Sequence, residues 1–228
     1  MTLEPAIRAT EIMLALALLQ QSAEHMAGSA AERRLFGLRI VPSLLLLLGI
    51  ETRWACLALL ALALFILKRF QGPYNGGSDR MGLLILCCLT FTHFLPPHWA
   101  EYALGYLAIQ VTLSYFIAGW VKLVNPDWRS GRALANVFLF SAYPVSESLR
   151  GFANRLLLLA RMSWAVMLFE LLFPLSLLSH ATLMLALAIA AAFHLANACL
   201  FGLNRFFWVW LAAYPSLLWL QERIFGAG

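Results

Sequence analysis

The chain has 228 residues, of which 62% are hydrophobic and only 12% carry a charge. Soluble globular domains carry about twice that fraction of charged residues, and one soluble core of this size cannot bury so much apolar surface. The composition therefore excludes most soluble enzymes, and also intrinsic disorder, which needs low hydrophobicity. It indicates an integral membrane protein.

The net charge of +5 comes from 16 Lys and Arg residues against 11 Asp and Glu residues. No run of five or more basic residues occurs, so we interpret the excess as loop charge beside membrane spans and expect no nucleic-acid partner. The cysteines lie in apolar runs without a CxxC pair, and HExxH is absent, so the spacing predicts neither a disulfide framework nor a metal site. These cysteines are Cys56, Cys87, Cys88 and Cys199.

Repeated apolar runs predict an all-α, polytopic membrane bundle, because a helix needs about 20 apolar residues to cross a bilayer. The first run, 12–19, is short and flanked by Glu11 and Gln20, so it either spans the membrane or lies at its surface. We expect seven or eight transmembrane helices in a single domain over residues 1–228. The clear runs are 32–50, 54–67, 81–95, 102–121, 156–178, 181–203 and 206–220.

Several local signals refine this prediction. Glu4 and Glu11 stand where a secretory signal would carry positive charge, so we expect the N-terminus to form the first helix of the mature protein. Ser29 and Glu32 have the spacing of a capping box. The composition of residues 71–80 predicts a loop, and residues 130–140 predict a short helix along the membrane surface.

Ionisable groups in the middle of a span cost about 2.5–3.5 kcal/mol and are candidate sites. Lys122 shares a helix face with Ser114 and Ala118, and Tyr115 and Gly119 lie beside that face. A lysine in an apolar pocket gives up its proton readily and can act as a base. Alternatively it reaches the membrane interface and serves topology alone, which the spacing by itself favours. The other candidates are His93, Glu101, Arg161, Glu170 and His194.

Glu170 lies near the middle of its run, and Pro174 is expected to kink the helix there. Arg161 lies on the opposite side of the same helix, so each needs a partner on another helix, and a structural ion pair is the simpler reading. His194 and Asn197 share a face and can bind a polar headgroup, orient a carbonyl or hydrogen-bond a neighbouring helix.

Residues 110–134 read QVTLSYFIAGWVKLVNPDWRSGRAL. This block resembles the vitamin K-dependent γ-carboxylase superfamily, whose membrane unit is the HTTM (horizontally transferred transmembrane) domain. Two shorter blocks also match. Tyr74–Asn75, with Gly82, lies before residues 110–134, and Phe193–His194, with Asn197, lies after them, so the three blocks stand in the family order over about residues 70–210. The matching residues of the first block are Tyr115, Phe116, Ala118, Gly119, Lys122, Asp127, Trp128 and Gly131.

The resemblance implies a site for a reduced quinone, which the carboxylase uses with oxygen and carbon dioxide to carboxylate peptide glutamates. In that family a lysine after the Ala-Gly pair deprotonates the hydroquinone, and Lys122 takes its position. We therefore expect Lys122 to be the base of a pocket for a lipid quinol or another flat apolar ligand. The expected pocket residues are Tyr115, Gly119, Trp128, Glu170, His194 and Asn197.

The sequence departs from the carboxylase in two ways. Residues 76–79 lack the histidine that the carboxylase has there, and no large extramembrane portion accompanies the spans. These departures favour an alternative, a non-catalytic membrane accessory, maturation or immunity partner of a neighbouring peptide or redox enzyme. Under both hypotheses we expect membrane lipid and a peptide or membrane-protein partner. The resemblance to short relatives implies a bacterial plasma (inner) membrane.

Overall fold

Helices make up the fold of this chain, as a computed structural model describes it for residues 1–69, 77–141 and 146–226. Those residues contain no β-strand, so the predicted all-α class is confirmed for them. Two segments, Glu147–Asn154 and Phe173–Leu178, are 3₁₀-helices. The α-helices are α1 (Leu3–His25), α2 (Ala30–Leu48), α3 (Thr52–Arg69), α4 (Gly77–Phe94), α5 (Pro97–Val124), α6 (Pro126–Arg129), α7 (Arg132–Phe140), α8 (Leu156–Leu172), α9 (His180–Phe201) and α10 (Asn204–Phe225).

The helices overlap the predicted runs, but several extend beyond them: α1 covers Leu3–His25 against the run 12–19, and α5 covers Pro97–Val124 against 102–121. A predicted loop also needs correction. Residues 77–80 were predicted as loop from their composition, but α4 begins at Gly77. Asp79 lies in the first turn of α4, where a carboxylate interacts favourably with the helix dipole. The rest of that predicted loop, with the Tyr74–Asn75 block, lies outside the described residues.

Two local signals in the sequence are confirmed. The Ser29 side chain accepts the N–H of Glu32, and the Glu32 side chain accepts the N–H of Ser29, so α2 begins with a capping box. Pro174 lies in the 3₁₀ segment Phe173–Leu178, directly after α8 ends. A proline removes a hydrogen-bond donor and clashes with the preceding turn, which explains why the α-helix gives way there.

Three helical segments in the described part of the chain are long and apolar enough to cross a membrane. These are Pro97–Val124, Leu156–Leu178 and His180–Phe201, and at most 33% of the most apolar stretch in each is buried. Leu157 and Leu185 are 69% and 62% exposed, as expected for lipid-facing side chains. The predicted number of seven or eight spans is not confirmed.

The contacts divide the chain into two compact units, Met1–Ile109 with Arg205–Gly228, and Gln110–Asn204. The core of the first unit contains Phe36, Leu59 and Ile85, which have no exposed surface. Lys122, Glu170 and His194 all belong to the second unit. The single domain predicted over the whole chain remains a prediction.

The second unit packs α7 and the segment Glu147–Asn154 beside α8. Its core contains Ala135, Phe138, Ala153, Leu159 and Phe201. Gly131 precedes α7 with φ at +81°, and a Cβ there would lie 2.5 Å from the amide nitrogen of Ala160. Only glycine allows this turn so close to the α8 backbone. The short helix predicted at 130–140 is therefore present, and its position along a membrane surface remains a prediction.

Candidate functional site

Lys122 of α5 and the buried Glu170 of α8 form a largely buried ion pair. Lys122 Nζ donates to both carboxylate oxygens of Glu170, at 2.6 Å each. The Glu170 side chain is 4% exposed and the Lys122 side chain 18%. A pair shielded from water in this way interacts far more strongly than a surface pair. The lysine therefore points into the protein at a carboxylate instead of extending only to the interface.

Trp128 and Gly119 complete the surroundings of this ion pair. The Lys122 ammonium lies 5.5 Å from the centroid of the Trp128 ring, within the range of a cation–π contact. A Cβ on Gly119 would lie 2.8 Å from the Leu171 nitrogen and 2.9 Å from the Glu170 Cβ. Because no other residue fits there without displacement, Gly119 sets how closely α5 approaches α8 beside the pair.

Tyr115 and His194 form a second polar contact two turns before Lys122 on α5. The Tyr115 hydroxyl and His194 Nε2 are 2.9 Å apart, and both residues are buried. The Tyr115 ring stacks on Phe173 with centroids 4.1 Å apart, and Phe169 meets it edge-on at 6.0 Å. Residues seven apart on a helix share a face, about 10.5 Å apart along the axis. Tyr115, which was predicted beside the face of Lys122, therefore makes its contact on the same side of α5 as the Lys122 pair.

The remaining sequence candidates lie elsewhere. Asn197 is half-buried, and its main-chain carbonyl accepts the Leu203 N–H at the end of α9; a role for its side chain remains a prediction. Arg161 is exposed on α8. Glu101 forms an exposed ion pair with Arg223 at 3.2 Å, and His93 contacts Glu11 at 2.5 Å.

The sequence did not predict which side chains pair with each other in this site. Spacing along one helix places Lys122 and Glu170 on their own faces, but the register between α5 and α8 depends on packing at Gly119. Phe169 and Phe173 were not predicted to pack on Tyr115, because aromatic residues are common in apolar helices and do not by themselves indicate a site. Glu11 was interpreted as the flank of a short run and as evidence against a secretory signal, although a carboxylate next to an apolar run also indicates a candidate site.

This arrangement places an ion pair next to aromatic side chains. Trp128 of α6 lies beside the Lys122 ammonium, and the Tyr115 ring, stacked on Phe173, lies two turns earlier on α5. Glycine at 119 keeps the adjoining backbones close. The described residues form helices without strands, three segments have the length and apolar character to span a membrane, and a largely buried ion pair lies among them, which defines the class of integral membrane proteins.

The comparison with protein families shows which family within that class the chain belongs to. The model of the HTTM domain matches residues 92–221, more than half of the chain. The chain belongs to the HTTM domain family, as the resemblance of residues 110–134 implied. No curated protein and no solved structure matched it.

The close approach at Gly119 leads to a prediction about stability. Gly119→Ala is expected to lower the free energy of unfolding by about 1–2 kcal/mol, because overpacking exceeds the gain in helix propensity. Gly105→Ala is the matched control on the same helix, since a Cβ there meets Trp219 at an ordinary 3.6 Å. Its stability should be unchanged or up to about 1 kcal/mol higher. Unfolding in mild detergent measures the stability of both variants. Equal stabilities of the two would contradict the close packing at Gly119.

Proposed function

We propose that this HTTM-domain protein binds a lipid quinol or a similar flat apolar ligand in a bacterial plasma membrane, with Lys122 as the base. The observation that carries the proposal is the buried contact of Lys122 with Glu170 beside the Trp128 ring. A lysine that served topology alone would need neither a carboxylate partner nor an enclosed position.

The residues around Lys122 fit a reduced quinone. Its ring is planar and apolar, and Trp128 offers an aromatic face of matching kind. Its hydroxyl groups need a hydrogen-bond partner in an apolar environment, which the Lys122–Glu170 pair supplies. A reduced quinone would supply an acidic hydroxyl and two electrons. The chain's part is to hold the ring, exclude water and accept the proton at Lys122 Nζ.

The binding step can be tested with an added naphthoquinone as the probe. Trp128→Ala is expected to weaken its binding about tenfold, which corresponds to the loss of one aromatic contact of about 1.4 kcal/mol. Trp120→Ala is the matched control, because Trp120 lies on α5 with 52% of its surface exposed. Binding to protein purified in native lipid is measured by fluorescence quenching and by extraction of bound quinone. Equal binding in wild type and Trp128→Ala would remove the proposed site.

The closed geometry of the ion pair supports a second candidate function. Both carboxylate oxygens of Glu170 already accept from Lys122 Nζ, an arrangement that also suits a purely structural contact. The chain would then be a non-catalytic accessory, maturation or immunity partner of a peptide or redox enzyme. A stoichiometric protein partner that still binds after Lys122→Met, together with no quinone in wild-type protein, would favour this candidate.

A further inference from the structure

Three ligating side chains from different helices meet in the first unit, away from Lys122. Glu11 of α1, Cys56 of α3 and His93 of α4 each offer one ligand atom, and these atoms all lie within 4.8 Å of one another. A tetrahedral Zn²⁺ with bonds of about 2.0–2.3 Å places its ligand atoms about 3.3–3.8 Å apart. Glu11 Oε1 and His93 Nε2 are only 2.5 Å apart, so a bound ion would replace their hydrogen bond and separate these two atoms by about 1 Å.

The burial and charge of the cluster suit a divalent ion. Glu11 is 2% exposed and Cys56 has no exposed surface. The Glu11 carboxylate carries one negative charge and a Cys56 thiolate would add a second, and these attract a divalent cation despite the Arg8 guanidinium beside Glu11. Imidazole, thiolate and carboxylate are the three ligand types that Zn²⁺ accepts.

Arg8 holds the carboxylate in place from the other side. Its Nη1 donates to Glu11 Oε2 at 2.8 Å, while Glu11 Oε1 faces His93 Nε2 at 2.5 Å. Arg8 is itself anchored on the carbonyl oxygens of Leu46 and Leu47 at 2.7 and 2.5 Å. Such outer hydrogen bonds orient metal-binding carboxylates.

A cleft of about 470 Å³ gives access to this cluster. Glu11, His93, Arg8 and Glu4 all line it, and the His93 side chain is 20% exposed. An ion can therefore enter from the His93 side. Three protein ligands leave one tetrahedral position for water or a substrate, as in catalytic zinc sites.

We infer that Glu11, Cys56 and His93 bind one Zn²⁺-class divalent ion whose fourth position is open to the cleft. The site assembles from three helices, so the ligand spacing along the sequence did not reveal it. Glu11 and Cys56 also lie outside residues 92–221, which the family model matches. Binding converts the Cys56 thiol to a thiolate and releases its proton.

Cobalt substitution of the purified full chain tests the site. The protein carries a histidine-free affinity tag, is stripped with a chelator in detergent, and is titrated with Co²⁺ or Zn²⁺. We expect one ion per chain and a thiolate-to-cobalt charge-transfer band. Cys56→Ser should remove that band and weaken binding about tenfold or more, whereas Cys88→Ser should retain both. Cys88 is the matched control, being equally buried in α4.

Histidine variants and a measurement on wild-type protein complete the test. His93→Gln should weaken binding about tenfold or more, while His98→Gln, at an exposed position, should not. X-ray absorption of the zinc-loaded wild type should show one sulfur neighbour of the zinc. This measurement uses no variant, so its result does not depend on how well a variant folds. A wild type that binds no stoichiometric ion, or a zinc shell without sulfur, would overturn the inference.

Discussion

Lys122→Arg is expected to slow the oxygen-dependent oxidation of an added reduced naphthoquinone by about 10²–10⁴-fold, the usual contribution of a positioned base. Arginine stays protonated at any accessible pH, so it cannot accept the hydroxyl proton. It can still pair with Glu170, and the probe should bind to the variant nearly as well as to wild type. Oxygen uptake by protein in detergent measures the rate, and equilibrium binding of the oxidised probe measures retention.

The ion pair itself explains how Lys122 could serve as a base. Lys122 Nζ and the Glu170 oxygens are 2.6 Å apart, so one proton can move from nitrogen to oxygen without a change in net charge. Such a transfer leaves a neutral amine beside a protonated carboxyl. Glu170→Gln should therefore slow the same oxidation, because the amide cannot take up that proton.

The control for this experiment is the exposed lysine of α3. Lys68→Arg changes the same side chain outside the second unit and should leave oxygen uptake unchanged. Equal rates for wild type, Lys68→Arg and Lys122→Arg would remove Lys122 as the base, even if the probe still bound. Loss of binding in Lys122→Arg alone would instead assign Lys122 to ligand binding, and would contradict its role in proton transfer.

The sequence predicts the helices well because apolar runs and caps are local properties. The box at Ser29 and Glu32 and the break at Pro174 depend on residues within one turn, and both are present. The number of spans is harder to predict, since Asp79 and Arg80 extend α4 at its start and lower its average hydropathy. Composition alone placed the start of α4 four residues too late.

The candidate site could be predicted only as separate residues. Lys122, Glu170, Tyr115 and His194 stand out as polar groups in apolar helices, but their pairing depends on contacts between helices. Glu11 and His93 show the same limit, because they are 82 residues apart in sequence and 2.5 Å apart in space. Side-chain periodicity fixes the face of one helix, whereas tertiary packing decides which faces meet.

Removal of one partner from the Lys122–Glu170 pair is expected to lower the free energy of unfolding by about 3–5 kcal/mol. Glu170→Ala leaves a buried ammonium without its counter-charge, and Lys122→Met leaves a buried carboxylate. The double variant Lys122→Met/Glu170→Leu should recover most of the loss, because apolar residues of similar size often replace a buried pair at little cost. Denaturation in detergent micelles, monitored by circular dichroism, measures all three variants.

The exposed pair of Asp127 and Arg132 provides the comparison for this prediction. Its side chains are 52% and 64% exposed and only 2.8 Å apart, yet a surface pair contributes about 0–1 kcal/mol. Asp127→Asn should thus change stability far less than Glu170→Ala. If the double variant at Lys122 and Glu170 stays as unstable as the single ones, lost packing and not uncompensated charge is the cause. If it recovers stability but not quinone oxidation, the pair is kept for chemistry, since apolar residues hold the helices together equally well.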